Sequence, residues 1–349
     1  MKILVLNSGS SSIKYKIFQL NTLDKVYEGE KEEIKDHLSA IKQTVNELIE
    51  KGIIETFDDI KVVGHRVVHG GDFFKEPILI DEDVMQKIDK LSALAPLHNP
   101  SNLAGIKAIK EHSPNTPQVA VFDTAFHQSI PDFASRYALP YNYYEDLGVK
   151  RYGFHGTSHH YVAKKAAKLL GKDLSELNLI TAHLGNGASV CAIKEGKSVD
   201  TSMGFTPLEG LIMGTRCGDI DASLVLYIKE KLNLTDEEVN NVLNKQSGLK
   251  GICGISDVRE IEKLYAKGDK KAMLAFDMFI YKIIKYIGSY MMTLGSVNGV
   301  VLTGGIGEHS LLTKEHISKS LKMYNLKVMT VSTNEELEIA GLSKKLLNL

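Results

Sequence analysis

The chain has 349 residues, 43% of them apolar, and is therefore long enough for two domains that each bury a hydrophobic core. Its 42 basic and 43 acidic side chains nearly cancel, and no block of Lys or Arg predicts binding to nucleic acid or to a membrane surface. Three isolated cysteines argue against a disulfide framework and a zinc ribbon. The cysteines and an N-terminal apolar run too short for a signal peptide predict a cytoplasmic protein, and the balanced charge favours a small soluble ligand.

Apolar periodicity alternates between the two regular structures along the first half of the chain. It predicts strands at residues 3–6, 15–20, 62–68 and 119–123, helices at 34–51 and 84–95, and a further helix after Pro100. Interleaved strands and helices of these lengths indicate α/β architecture.

The second half of the chain begins with the same pattern as the first. Residues 179–183 predict a strand, "GNGAS" a turn of small residues, and "VCAIKEG" a second strand, as in "ILVLNSGSSSIKYKIFQL" at the N-terminus. Two copies predict two similar lobes whose turns offer backbone N–H groups to a phosphorylated ligand. We place the boundary between the lobes near residues 145–150.

The most apolar long segment covers residues 272–294. It contains Asp277, Lys282 and Lys285, and its apolar residues recur at helical spacing. A buried amphipathic helix is therefore favoured over a membrane span.

The stretch "NSGSSSIK", residues 7–14, combines backbone freedom with polar groups. Gly9 permits a tight turn, and strand alternation places Ser10, Ser12 and Lys14 on one face. Taken alone, the stretch fits a hairpin turn as well as a phosphate-binding turn, and it is not a Walker A loop.

Two arginines and an aspartate stand beside glycines or at strand ends. Arg66 lies in "GHRVVHGG" and Arg216 in "MGTRCGDIDAS", and arginine binds carboxylate or phosphate through two parallel hydrogen bonds. Asp123 ends an apolar strand, where α/β proteins tend to bind ligands. The alternatives are a structural ion pair for Arg66 and a helix cap for Asp123, and Asp219 or Asp221 either caps a helix or holds Arg216 in place.

Three histidines occur in "YGFHGTSHH". His155 precedes a helix that Thr157 or Ser158 can cap, and the spacing of the histidines lacks the acidic partner of a metal motif. Further on, "GGIG" at residues 304–307 follows an apolar strand and predicts a turn that lets a purine or phosphate approach closely. Small-residue turns, arginines and a histidine are together the inventory of phosphoryl transfer.

Nine segments in order resemble the acetokinase family across nearly the whole chain, among them "NSGSSSIK", "GHRVVHGG", "VFDTAFHQSIP", "RYGFHGTSHHYVA" and "GGIGEHS". The resemblance implies two duplicated actin-like, ribonuclease H-like lobes around a nucleotide cleft. These would be residues 1–146 with a returning C-terminal helix at 337–349, and a nucleotide-binding lobe at 147–336. It further implies reversible, direct in-line transfer of the ATP γ-phosphoryl group to acetate, with Mg²⁺ or alternatively Mn²⁺, in a homodimer.

The resemblance also assigns residue roles. The catalytic residues would be Arg66, Asp123, His155 and Arg216. With Arg66, the substrate pocket would be formed by Val68, Leu97, Phe154 and Pro207. The ATP contacts would be Ser10, Ser12, Lys14, His183, Asn186, Gly187, Gly304, Gly305, Ile306 and Gly307. The metal would be bound by Asn7 and Glu335.

The sequence departs from the family at a few positions. Cys217 stands where serine is typical and His309 where asparagine is typical, and Cys217 beside Arg216 predicts sensitivity of the activity to oxidation. The chain is also shorter than usual between residues 324 and 332, which bears on the assignment of Glu335.

Three other functions are compatible with parts of the sequence. A kinase of propionate or another short-chain acid differs only in pocket volume, where one methylene is worth about 1 to 3 kcal/mol. A non-catalytic, nucleotide-switched actin-like protein would leave the arginines and His155 unexplained. A hydrolase built on Ser158 lacks the G-x-S-x-G motif.

Overall fold

The computed structural model describes residues 1–349. Its strands are β1 Lys2–Ser8, β2 Ser12–Gln19, β3 Lys25–Glu32, β4 Ile60–Val67, β5 Ile78–Leu79, β6 Gln118–Phe122, β7 Asn178–Leu184, β8 Ala188–Lys194, β9 Lys197–Thr201, β10 Gly299–Thr303 and β11 Val328–Thr330. Its α-helices are α1 His37–Glu50, α2 Glu82–Lys90, α3 Asn99–His112, α4 Asp132–Ser135, α5 Asn142–Leu147, α6 Gly156–Leu170, α7 Ala222–Leu232, α8 Asp236–Asn241, α9 Gly248–Cys253, α10 Val258–Ala266, α11 Lys270–Leu294, α12 Gly304–His309, α13 Leu311–Leu321 and α14 Glu335–Leu346.

The two sheets share one strand order over five strands, and the short antiparallel strand β5 is added at the edge of the first. The first runs β3-β2-β1-β4-β6-β5 and the second β11-β10-β7-β8-β9. In each, a three-stranded antiparallel meander continues into two parallel strands, β4 and β6 in the first sheet and β10 and β11 in the second. The repeat predicted from the small-residue turns after β1 and β7 is confirmed, and with it the duplicated α/β fold.

Most predicted strands and helices of the first half are confirmed, with ends shifted by a few residues. The longest element of this half without a prediction is the strand β3, and the short elements β5, α4 and α5 were not predicted either. The side chains of β3 are exposed or half-buried along the whole strand, so it has no buried apolar face to reveal it.

The chain divides into two compact units. The first comprises residues 1–128, 156–158 and 334–349, and the second comprises residues 129–155 and 159–333. The division therefore comes earlier in the chain than the predicted boundary between residues 146 and 147. Residues 334–336, which the sequence analysis placed in the second lobe, group with the first unit.

The first sheet has a hydrophobic core on each face. On one face, β1, β2 and β4 pack against α1 and α3 through residues such as Leu6, Ile41 and Ile109. On the other, Ile339 and Ala340 of α14 pack against β1, β4 and β6. The C-terminal helix is thus part of the core of the first unit, and this packing places Glu335 at the start of that helix.

In the second unit, α11 packs against β7 and β8 and is half-buried along its 25 residues, as the sequence predicts. No helix combines the length with the apolar composition that crossing a membrane requires. The cytoplasmic location stays a prediction.

Candidate active site

The first unit holds an arginine–aspartate pair at the ends of two neighbouring parallel strands. Arg66 lies on β4, and Asp123 follows β6 directly. The Arg66 Nη2 lies 2.6 Å from the Asp123 Oδ2, and its Nε lies 3.1 Å from both carboxylate oxygens. Asp123 is 1% exposed. Because its oxygens are engaged by the guanidinium, Asp123 fixes the direction in which Arg66 points.

Two further oxygens approach the same guanidinium. The Asn7 Oδ1 at the end of β1 lies 3.5 Å from the Arg66 Nη1, and the Glu335 Oε2 lies 3.7 Å from the Nε. Burial alone would lower the pKa of Arg66, but Asp123 and Glu335 outweigh burial and raise it. Burial raises the pKa of Glu335 to about 7, with Arg66 opposing the rise and Asp123 adding to it.

The turn between β1 and β2 is closed by a hydrogen bond from the Gly9 N–H to the Ser12 carbonyl, at 2.7 Å. Ser10 is exposed and Ser12 half-buried. Lys14 is exposed and forms an ion pair with Glu30 of β3 at 3.3 Å. The turn therefore presents its hydroxyls at the surface of the unit.

Asn102 of α3 has a positioning role that the sequence analysis missed. Its Nδ2 donates to the Ser8 carbonyl at 2.8 Å, and its Oδ1 accepts from the Val68 N–H at 3.1 Å. Asn102 thus ties the serine turn to the end of β4, which carries Arg66. Of the predicted acyl-pocket residues in this unit, Val68 is buried, whereas Leu97 is 68% exposed.

In the second unit, His155 occupies the residue before α6 with φ 56° and ψ 21°, a left-handed conformation. The helix begins one residue later, at Gly156, so the prediction that Thr157 or Ser158 caps it is wrong. The His155 Nδ1 lies 2.9 Å from the Ser189 Oγ of β8, and its ring stacks on that of His183 of β7 with centroids 4.2 Å apart.

Arg216 lies in the loop between β9 and α7. Its Nη1 donates to the Pro207 carbonyl at 2.9 Å, and no carboxylate oxygen lies within 4.0 Å of its nitrogens. Burial lowers its pKa, with no neighbouring charge to oppose the effect. Arg216 is therefore a partly desolvated cation that lacks a protein counter-ion.

Gly187, between β7 and β8, marks where these groups converge. A Cβ atom at this position would lie 3.5 Å from the His155 Nε2 and 3.6 Å from the Arg216 Nη1. An imidazole and a guanidinium thus border the same small space. Phe154, the residue before His155, is 3% exposed and packs inside the unit.

A cavity of about 460 Å³ opens in the second unit. Three of the predicted nucleotide contacts, Asn186, Gly305 and Ile306, line it. Its other lining residues include Asp257 and Arg259 at the start of α10, and the sequence analysis missed both. A signal was available, because "SD" before an apolar helical pattern is a capping sequence.

The "GGIG" stretch differs from its prediction. Instead of a turn it forms the start of α12, directly after β10. Gly304 has φ 76°, and a Cβ there would lie 2.7 Å from the Leu184 carbonyl of β7, so only glycine fits. Gly307 is buried, whereas Gly305 is exposed and lines the cavity.

Cys217 is half-buried, and its Sγ donates to the Gly218 carbonyl at 3.2 Å. Burial raises the pKa of its thiol, so the neutral form is favoured. This environment does not favour the oxidation predicted from its place beside Arg216.

Both units repeat one sheet order, each contains an arginine of the kind that binds phosphate, and the second unit has a cavity large enough for part of a nucleotide. Together these features define a duplicated actin-like kinase. The profile of the acetokinase family matches residues 26–341, and the chain belongs to that family. It is 50% identical to the acetate kinase of Helicobacter acinonychis, over 99% of both chains. Among solved structures it resembles the acetate kinase of Porphyromonas gingivalis, at 38% identity and a TM-score of 0.95 over 99% of both chains. It also resembles a propionate kinase from Francisella tularensis, at 40% identity and a TM-score of 0.93 over 99% of both chains.

Proposed function

We propose that the protein transfers the γ-phosphoryl group of ATP reversibly to acetate, giving acetyl phosphate and ADP. Membership of the acetokinase family and the acetate kinases among its relatives support this reaction. The observation that carries the proposal is Arg216, a partly desolvated guanidinium that borders the same space as His155 and has no carboxylate partner. Such a cation is suited to an anion that arrives with the substrate.

The acceptor needs no strong base. A carboxylic acid with a pKa near 4 is ionised at neutral pH, so acetate attacks the γ-phosphorus directly as the carboxylate. Asp123 is held by Arg66 through three contacts of 3.1 Å or less, and its role is to orient that arginine. Arg66 in turn would bind the acetate carboxylate.

The phosphoryl group in flight carries charge on its equatorial oxygens. Arg216 would neutralise that charge, and the Nε2 of His155 would donate a hydrogen bond to one of the same oxygens. An arginine in this role is worth about 10³ to 10⁵ in rate. The nucleotide would occupy the 460 Å³ cavity at Asn186, Gly305 and Ile306, with its phosphates directed to Gly187 and His183.

In this proposal Asn7 and Glu335 would hold Mg²⁺. The ion prefers oxygen ligands and usually takes only one or two from the protein, keeping water and substrate phosphates for the rest. The Asn7 Oδ1 and the Glu335 Oε2 are oxygens that approach one guanidinium, at 3.5 and 3.7 Å. When bound there, Mg²⁺ would neutralise charge on the nucleotide phosphates.

The test is a hydroxylamine-trapped acyl phosphate assay with ATP and Mg²⁺, comparing acetate, propionate and butyrate. We expect the highest kcat/KM for acetate and loss of activity in Arg216→Ala. Because a propionate kinase is among the similar structures, the ratio of acetate to propionate decides acyl preference. Binding of ATP without phosphorylation of any acid would contradict the kinase proposal.

We also propose that the protein is a homodimer. Helix α7 has no buried residue and exposes Leu226, Tyr227 and Leu232, while α11 exposes Tyr281. Exposed apolar side chains that cluster on one helix are typical of surfaces that associate. Light scattering coupled to size exclusion should give the dimer mass for wild type and the monomer mass for Leu226→Glu. Leu169→Glu, an equally exposed position on α6, is the control and should remain dimeric.

A further inference from the structure

We propose that Ser189 and His159 are positioning residues, which hold the His155 imidazole in the tautomer with its proton on Nε2. The proposal deepens the phosphoryl-transfer function and rests on it for its purpose. It assigns a role to His159, the second histidine of "YGFHGTSHH", which the reaction described above does not use.

The geometry is a chain of hydrogen bonds through the core of the second unit. The Ser189 Oγ lies 2.9 Å from the His155 Nδ1 and 2.8 Å from the His159 Nε2. The His159 Nδ1 lies 2.7 Å from the Thr181 Oγ1. Ser189, His159 and Thr181 are each 0% exposed, so water does not compete for these bonds.

The sheet supplies this arrangement. On the antiparallel strands β7 and β8, His183 is the direct partner of Ser189, and Thr181 lies two residues from His183 on the same face. His155 and His159 are four residues apart at the start of α6, so both rings can reach that face. Strand pairing and helix spacing together set the distances of these hydrogen bonds.

The hydrogen count links the tautomer of one ring to that of the other. Ser189 has one hydroxyl proton and lies between two ring nitrogens, so it can donate to only one of them. If Thr181 donates to the His159 Nδ1, the His159 Nε2–H donates to Ser189, and Ser189 donates to the His155 Nδ1. Neutral His155 then carries its proton on Nε2.

In the opposite direction the His155 Nδ1–H would donate to Ser189, and the His155 Nε2 would carry a lone pair instead of a proton. That nitrogen borders the space at Gly187 that the Arg216 Nη1 also borders. A phosphoryl oxygen bound there needs a donor and would be repelled by a lone pair. Only the first direction of the chain, in which Ser189 donates to His155, therefore serves phosphoryl transfer.

The kinetic test uses Ser189→Ala, which removes the bridging hydroxyl at little cost in volume. We expect kcat to fall about 10- to 100-fold, the usual effect of losing a partner that orients an imidazole, with ATP affinity unchanged. Ser198→Ala, another fully buried strand serine, is the matched control and should keep wild-type kcat. A kcat within twofold of wild type in Ser189→Ala would overturn the proposal.

A double variant separates positioning from a general structural role. If Ser189 acts through His155, then Ser189→Ala should cause no further loss in a His155→Ala background. A further 10- to 100-fold loss there would show that the serine acts on something else and would overturn the proposal.

The tautomer can be observed directly, without turnover. Two-bond ¹H–¹⁵N correlation spectra of histidine-labelled enzyme with ADP distinguish a proton on Nε2 from one on Nδ1. We expect Nε2–H for His155 in wild type and loss of that preference in Ser189→Ala. An Nδ1–H tautomer in wild type would overturn the inference even if the enzyme phosphorylates acetate, and failure of the acyl phosphate assay would leave this result readable.

Discussion

A single methyl group added at Gly187 should lower the catalytic rate strongly and leave the stability of the fold almost unchanged. The Cβ of Gly187→Ala would lie 3.5 Å from the His155 Nε2 and Cε1 and 3.6 Å from the Arg216 Nη1. These are ordinary van der Waals contacts, and the residue needs no left-handed backbone. We therefore expect the free energy of unfolding to change by no more than about 0.5 kcal/mol.

The effect on the reaction should be much larger. An oxygen held by both donors must lie within about 2.7 to 3.2 Å of each nitrogen. A methyl group in contact with both nitrogens would displace that oxygen by up to about 1 Å, and such a misplacement costs about 10²-fold in rate. In the transition state this corresponds to about 2.7 kcal/mol.

The assay is the hydroxylamine-trapped acyl phosphate measurement, with urea unfolding in parallel. Gly341→Ala in α14 is the control, because its Cβ would meet only Leu23 at 3.8 Å and alanine favours the helix. That variant should keep its activity. If folded Gly187→Ala retains kcat within about twofold of wild type, His155 and Arg216 do not act on a common group beside Gly187.

Three other predictions follow from buried polar groups. Asp123→Asn weakens the hold on Arg66, so kcat should fall about 10²-fold and the free energy of unfolding by about 1 to 3 kcal/mol, and unchanged values in both assays would contradict the assigned role. Burial lowers the pKa of His65 from 6.5 to about 4, so the folded state binds fewer protons than the unfolded chain between these values. About 3 kcal/mol of the free energy of unfolding should therefore be lost as pH falls from 6.5 to 4. In urea unfolding at a series of pH values, the free energy of unfolding of His65→Gln should depend less steeply on pH than that of wild type. Tyr137→Phe removes the hydroxyl that bonds Glu209 and accepts a backbone N–H of the loop before Arg216, so stability should fall by about 1 to 3 kcal/mol and the KM for acetate should rise; a stable variant with wild-type KM would contradict this.

Several parts of the fold could be read from local pattern. The strands β1, β4 and β7 are rich in apolar residues and mostly buried, and the long helix α11 has apolar residues at helical spacing. The small-residue turns after β1 and β7 revealed the repeat, because each follows a buried strand in the same way. Motif order indicated the family.

Other features depend on which distant segments meet. Strand β3 is held by pairing with β2, and none of its side chains is fully buried, so its own sequence carries no clear apolar pattern. Glu335 reaches Arg66 only because α14 returns to the first sheet, where the neighbouring Glu336 contacts Lys16 across 320 positions of chain.

The same holds for the chemistry within the second unit. The sequence determined that a histidine, an arginine and glycine-rich turns are present, since residue types and local spacing are written in it. Only the tertiary structure decided that Ser189 joins His155 to His159 and that Arg216 has no carboxylate partner. Hydrogen bonds and charge neutralisation depend on distances of a few ångströms between segments, and strand pairing and helix packing set those distances.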